Sequence, residues 1–189
     1  YIGGEVNSVM KDKNKVDIRF AMCFPDVYEI GMSNLGMMIL YNMFNEREDV
    51  WAERVFSPWL DLDKIMREKE IPLFALESQE PVKNFDFLGI TLGYEMCYTN
   101  VLQVLDLSHV SLLAKDREED DPIVIGVHAH ITLNRLPNFL ICSISAKAKL
   151  SMMLCLMLIR QIRQQAAPEK IFFSQLLRFR ESMFHLYIM

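Results

Sequence analysis

The residues best placed to do chemistry follow an apolar run near the start of the chain. Asp26-Val27-Tyr28-Glu29-Ile30-Gly31 sets a carboxylate, a phenol and a glycine close together, directly after the apolar stretch 16–24. Glu29, Glu77, Glu80 and Glu95 also fall between apolar runs. Carboxylates so placed act as general acids or bases if the fold gathers them, and are otherwise solvated loop charge. Tyr28 and Tyr94 are placed either to flank a planar ligand or to pack a loop rim. His128 and His130, with Cys142 downstream, form a single pair of metal-ligating types, a pattern that arises readily by chance. His109 follows an apolar helical stretch and reads as a capping or surface residue. The loops GxxxxGK[ST] and GxGxxG are both absent, so nothing supports binding of a nucleoside triphosphate or a dinucleotide.

The elements that must position these residues alternate between strand and helix. Residues 16–24 alternate and then turn apolar, which predicts a first strand. Residues 35–44 carry apolar side chains at helical spacing, with Ser33 as N-cap and Asn45 as a stop. The methionine-rich stretch 32–43 reads as core packing. Strands are predicted at 51–56, 72–76, 85–92 and 123–125, with helices at 59–69 and 98–107. This order predicts an α/β domain, a flavodoxin-like five-stranded parallel sheet flanked by helices over residues 10–126. Ligands of such sheets sit beyond the C-terminal ends of the strands, which turns attention to residues 25–31, 77–81, 93–100 and whatever follows Gly126.

Gly126 is also where the composition breaks. All seven glycines lie at or before it, and the 63 residues after it contain neither glycine nor aspartate. Up to Gly126 there are 12 lysines and arginines against 23 acids, a formal charge of −11; after it there are 8 against 2, a charge of +6. The whole chain, at −5, does not have the charge of a general nucleic-acid binder. The four cysteines are widely spaced, which fits a reducing, cytoplasmic setting. The longest apolar run, 152–159, is too short to span a bilayer, so no membrane partner is expected. The chain opens on Tyr1 rather than Met, as expected of a fragment.

The Asp26 loop resembles the cobalamin-binding pattern Asp-x-His-x-x-Gly, with Tyr28 at the histidine position. In that family the histidine is the lower axial cobalt ligand. A phenol, with a pKa of about 10, has no imidazole nitrogen to offer, so the resemblance implies cobalamin bound without a histidine ligand. Gly89-Ile-Thr91-Leu-Gly93 resembles the family's Ser-x-Leu turn. Ile123-Val-Ile-Gly126 resembles the strand before its Gly-Gly turn. The resemblance thus nominates Asp26, Tyr28, Gly31, Thr91, Gly93 and Gly126 as the cofactor face. Further stretches are Tyr1-Ile-Gly-Gly-Glu5, Phe24-Pro-Asp-Val-Tyr-Glu-Ile-Gly-Met-Ser33, Asp49-Val-Trp-Ala-Glu-Arg-Val-Phe56, Pro72-Leu-Phe-Ala-Leu-Glu-Ser78 and Tyr98-Thr-Asn-Val-Leu102. Together they are similar to the N-terminal region of a bacterial radical SAM family with a cobalamin-binding-type leading domain. In such proteins a barrel follows, where CxxxCxxC holds a [4Fe–4S] cluster beside S-adenosylmethionine. That cysteine spacing is absent here. The resemblance therefore implies that the cluster, S-adenosylmethionine and catalysis belong to a barrel outside this chain, which is the expected partner. Residues 1–126 are then a cofactor-binding or scaffold domain, inactive alone. The reading from another class is a docking module that has lost cobalamin binding. Tyr28 favours the second reading, and Asp26 and Gly31 favour the first.

The tail departs from the family's expected order. Reading each codon as the third base of one observed codon and the first two of the next, Ser145-Ala-Lys-Ala-Lys-Leu150 can encode Gly-Glu-Gly-Glu-Ala. Over 127–157 the same shift restores a long family-like string without a stop. Residues 127–189 are thus expected to be an out-of-frame, poorly folded tail with no native domain, which leaves the sheet truncated; a divergent basic extension is the alternative.

Overall fold

The structure, a computed structural model, describes residues 5–118, 120–128 and 142–145. Two seven-residue runs, buried almost throughout, set one edge of the sheet and the strand next to it: β2 (Val50–Phe56) and β1 (Ile18–Phe24). They are joined by β3 (Phe87–Leu92), β4 (Ile123–His128) and β5 (Cys142–Ser145). All neighbours pair parallel, in the order β2-β1-β3-β4-β5. Continuous burial along β1 and β2 is what a parallel sheet covered on both faces requires. The order reverses between β1 and β3, the switch point at which flavodoxin-like sheets open a crevice.

The helices are α1 (Tyr28–Gly31), α2 (Leu35–Asn45), α3 (Leu60–Lys69) and α4 (Tyr98–Leu107). In α2 the spacing of Met37, Tyr41 and Phe44 puts one stripe against the sheet, while the other methionines of 32–43 are not fully buried. Its N-cap is Asn34, not Ser33: the Asn34 side chain accepts from Met37 N at 2.9 Å. α4 matches its predicted limits. It ends at His109 in the left-handed region (φ 55°), with His109 N and Val110 N donating to Asp106 O and Leu105 O, the Schellman arrangement that a capping residue supplies. The core runs from Ala21, Cys23 and Val55 through Leu88, Ile90 and Leu92 to Val101, Val104, Leu105 and Val124.

Two expected strands differ. Residues 72–76 form no sheet strand and make one isolated bridge, Phe74 with Pro81. Pro72 has no N–H to give, Leu73 N donates to Leu107 O, and only Leu76 N reaches β2, at Arg54 O. The Arg54 N–H that a strand carbonyl would have taken goes to the Glu77 carboxylate at 2.7 Å. The fifth strand instead comes from Cys142–Ser145, in the glycine-free region. β4 continues through Gly126 to His128, so Gly126 lies inside a strand, paired with Ile90 and Ser143, rather than at a turn. The described elements all lie within one compact unit. His130 and the remainder of the tail lie outside the described residues. Among those described, no helix is long and apolar enough to cross a membrane.

β2 is an edge strand with no exposed backbone row, because two flanking segments cover it. On one side lie residues 76–78. On the other runs the N-terminal segment 5–11: Trp51 Nε1 donates to Val9 O at 2.9 Å, Val9 N to Tyr41 Oη at 2.7 Å, and Lys11 Nζ to the carbonyls of Asn45, Arg47 and Val50. Arg54 sits under this strap. Its Nε donates to Glu77 Oε1 at 2.6 Å, and its Nη2 to Glu5 Oε2 at 2.7 Å and Ser8 Oγ at 2.9 Å. Its guanidinium lies 4.9 Å from the centre of the Tyr41 ring.

Candidate functional site

The switch point lies between the loops after β1 and β3, and of the sequence-nominated residues Asp26, Thr91 and Gly93 border it. Asp26 N donates to Phe24 O, closing a tight turn off β1, and Asp26 Oδ1 accepts from Val27 N. Its other carboxylate oxygen accepts from Tyr94 Oη, which reaches across from the loop after β3. That hydrogen bond to Asp26, helped by burial and the carboxylate charge, pushes the Tyr94 phenol up to about 12. Asn100, in the first turn of α4, donates to Pro25 O at 2.9 Å. Ser57 N, at the end of β2, donates to Asp26 O at 3.0 Å. Three strand-end loops are therefore laced together through Asp26 and Pro25.

Tyr28 stands apart from that bond. Its hydroxyl donates to Glu5 Oε1 at 2.6 Å and its ring meets Phe56 edge-on at 5.5 Å. The hydrogen bond to Glu5 raises the Tyr28 phenol above its ordinary value. At Glu5, burial acts upward but is outweighed by the hydrogen bonds from Tyr28, its own backbone and Ser8 and by the Arg54 charge, which hold the carboxyl at about 2. The Tyr28 side chain is thus turned into the strap network and held there as a neutral donor.

Gly31 is a packing glycine. A methyl built on it stands 2.2 and 2.5 Å from atoms of the Phe56 ring. Thr91 sits half-buried on β3 opposite Val127, Gly93 is exposed with open space where a side chain would go, and Gly126 is buried within β4. A shallow hollow, open to solvent, lies beside Tyr28, lined by Phe56, Ser57, Pro58, Leu62 and Leu76. It is on the β2 side and takes in neither Asp26, Thr91 nor Gly93. Tyr28 is bonded to Glu5 and Asp26 is engaged by Tyr94, so neither polar side chain is turned free toward a ligand in this arrangement.

The four glutamates are not brought together as acid and base. Glu77 is bound by Arg54, and burial keeps its carboxyl above the ordinary range even so. Glu80 is held below that range by Lys13 and Arg19. Glu29 and Glu95 are exposed on separate loops. His128 and Cys142 stand three register steps apart on β4 and β5, about 10 Å along the strands. Among the described residues no group of three or more His, Cys, Asp or Glu is placed to hold a metal ion. Cys23 and Cys97 are buried, and burial raises both thiols well away from the thiolate form that ligation needs.

Sequence reasoning missed two arginines, one buried and one half-buried, that are held in ion pairs on β1 and β2. Arg54 is 1% exposed, and Arg19 is held by Glu53 and Glu80 with its guanidinium 4.1 Å from the centre of the Phe85 ring. The available signal was charge inside apolar strands: Arg19 in Ile18–Phe24, and Glu53-Arg54 in Val50–Phe56.

No curated protein matches the chain. Residues 36–182, well over half of the chain, match the family model described as radical SAM proteins, N-terminal, and the chain belongs to that family.

Proposed function

We propose that the described domain is a non-catalytic docking domain of a radical SAM protein, and that its Asp26–Gly31 loop holds the domain together rather than binding cobalamin. Family membership implies a [4Fe–4S] cluster and S-adenosylmethionine in the parent protein. Their ligands are not supplied by this chain, whose cysteines include no CxxxCxxC. The observation that carries the reading is the Tyr94–Asp26 hydrogen bond, which joins the two loops bordering the switch point. The Tyr28–Glu5 bond supports it from the other side. The second reading, cobalamin bound along Asp26, Tyr28, Gly31, Thr91, Gly93 and Gly126, is favoured by the open space at Gly93. Titrating the chain with hydroxocobalamin separates them. No change in its visible spectrum is expected up to high micromolar concentrations, and saturable change selects the second reading.

We further propose that residues 127–189 are translated out of frame. The composition break supports this. The family match, which continues to residue 182, counts against it. β5 is compatible with either frame, because its codons read Cys-Ser-Ile-Ser in the observed frame and can encode Leu-Phe-Tyr-Ile in the shifted one. Sequencing the coding DNA is expected to show one base gained or lost near codon 127, followed in the restored frame by CxxxCxxC. An uninterrupted frame shared with close relatives overturns the proposal.

A further inference from the structure

Resting on the docking reading, we infer that the partner seats on the rim formed by the loops after β1, β2 and β3, and that it presents a basic, apolar polypeptide surface. The rim is continuous, because Ser57 and Tyr94 both bond Asp26 and Asn100 bonds Pro25. On it stand Ile30, Trp59, Leu60 and Met96, respectively 49, 60, 72 and 85% exposed. Single apolar side chains on a surface are ordinary, but four on joined loops, one of them a tryptophan, make a patch of the kind that interfaces cover.

The charge around the patch has one sign. Glu29, Asp61 and Glu95 are exposed on the same three loops, and residues 25–35, 57–63 and 93–103 contain no lysine or arginine. The first cation beyond them, Lys64, stands 3.8 Å from Glu68. Lys13 and Lys83 instead pair with Glu80 and Asp121, near the N-terminal ends of the strands. Asp61 lies in the first turn of α3, where the helix dipole favours a carboxylate. The dipole accounts for that acid but not for Glu29 and Glu95, nor for the tryptophan, leucine and methionine beside them. An apolar patch ringed by carboxylates and, among the described residues of its three loops, lacking cations repels an acidic partner and favours apolar side chains flanked by Lys or Arg.

The test titrates the full chain by calorimetry with a synthetic amphipathic leucine–lysine helical peptide and with its leucine–glutamate counterpart. Trp51 is buried and Trp59 exposed, so a blue shift in emission reports the rim. The leucine–lysine peptide is expected to bind with a saturable blue shift. Affinity should fall by about tenfold or more, as for a central interface anchor, in Trp59→Ser/Met96→Ser and in Glu29→Gln/Asp61→Asn/Glu95→Gln. Neutralising Asp116, Glu118 and Asp120 on the distant acidic turn should leave it unchanged. Equal binding of the acidic peptide, full binding by folded rim variants, or equal loss on neutralising the acidic turn overturns the inference. Uptake of hydroxocobalamin removes the docking reading itself. A chain that ignores both cobalamin and the basic peptide keeps that reading and places its partner on another face.

Discussion

Arg54→Ala is expected to destabilise the domain by about 3–5 kcal/mol, because it leaves a buried carboxylate without its partner. Both side chains of the pair are withdrawn from water, at 1% exposure for Arg54 and 0% for Glu77. Glu77 also accepts the Arg54 backbone N–H, so it cannot turn out to solvent without opening the β2 edge. The same guanidinium holds Glu5 and Ser8, so the loss should release the strap at residues 5–11 as well. Urea unfolding reads the first effect, and proteolytic cleavage within the strap reads the second. Arg54→Met/Glu77→Met should recover much of the stability, since replacing a buried ion pair by apolar side chains of similar volume is often close to neutral. An unchanged midpoint in Arg54→Ala would show that the pair is not buried as described.

Gly31→Ala carries the next largest effect, about 1–3 kcal/mol, the ordinary range for forcing a methyl into a packed site. The new carbon would stand 2.2 Å from a Phe56 ring atom and 3.2 Å from Phe24 Cβ. The ring cannot give freely, because it lies against Tyr28, whose hydroxyl is tied to Glu5. The measurement separates two roles for this glycine. A packing glycine loses stability on substitution. A glycine retained only to let a ligand approach keeps its stability and loses binding, so wild-type stability in Gly31→Ala would return Gly31 to the cofactor face.

What the sequence made legible was local. The apolar runs of β1, β2 and β3 and the helical spacing of α4 follow from side-chain periodicity, and the parallel flavodoxin-like sheet follows from their alternation. What it hid depends on partners distant in the chain. Tyr28 meets Glu5 across 23 residues and Tyr94 meets Asp26 across 68, and no spacing rule joins them. The stretch 72–76 looks like a strand because it is short and apolar. It fails as one because Pro72 and the Glu77 carboxylate redirect the hydrogen bonds a strand would make. Cys142–Ser145 is the opposite case: it lies in the stretch read as an out-of-frame tail and alternates serine with apolar residues over only four positions, yet it pairs with β4. The Asp26 turn was found in the sequence, but its carboxylate partner was not, and that partner changes the chemistry assigned to the loop.

The most direct test compares wild-type chain and Tyr28→His in a hydroxocobalamin titration followed by visible spectroscopy. The account predicts no saturable change for either protein, because the side chain at position 28 is directed at Glu5 and the neighbouring crevice is bridged by Tyr94 and Asp26. Saturable binding by wild type, or its appearance once histidine replaces Tyr28, would contradict it and show that the loop remains a cobalamin site.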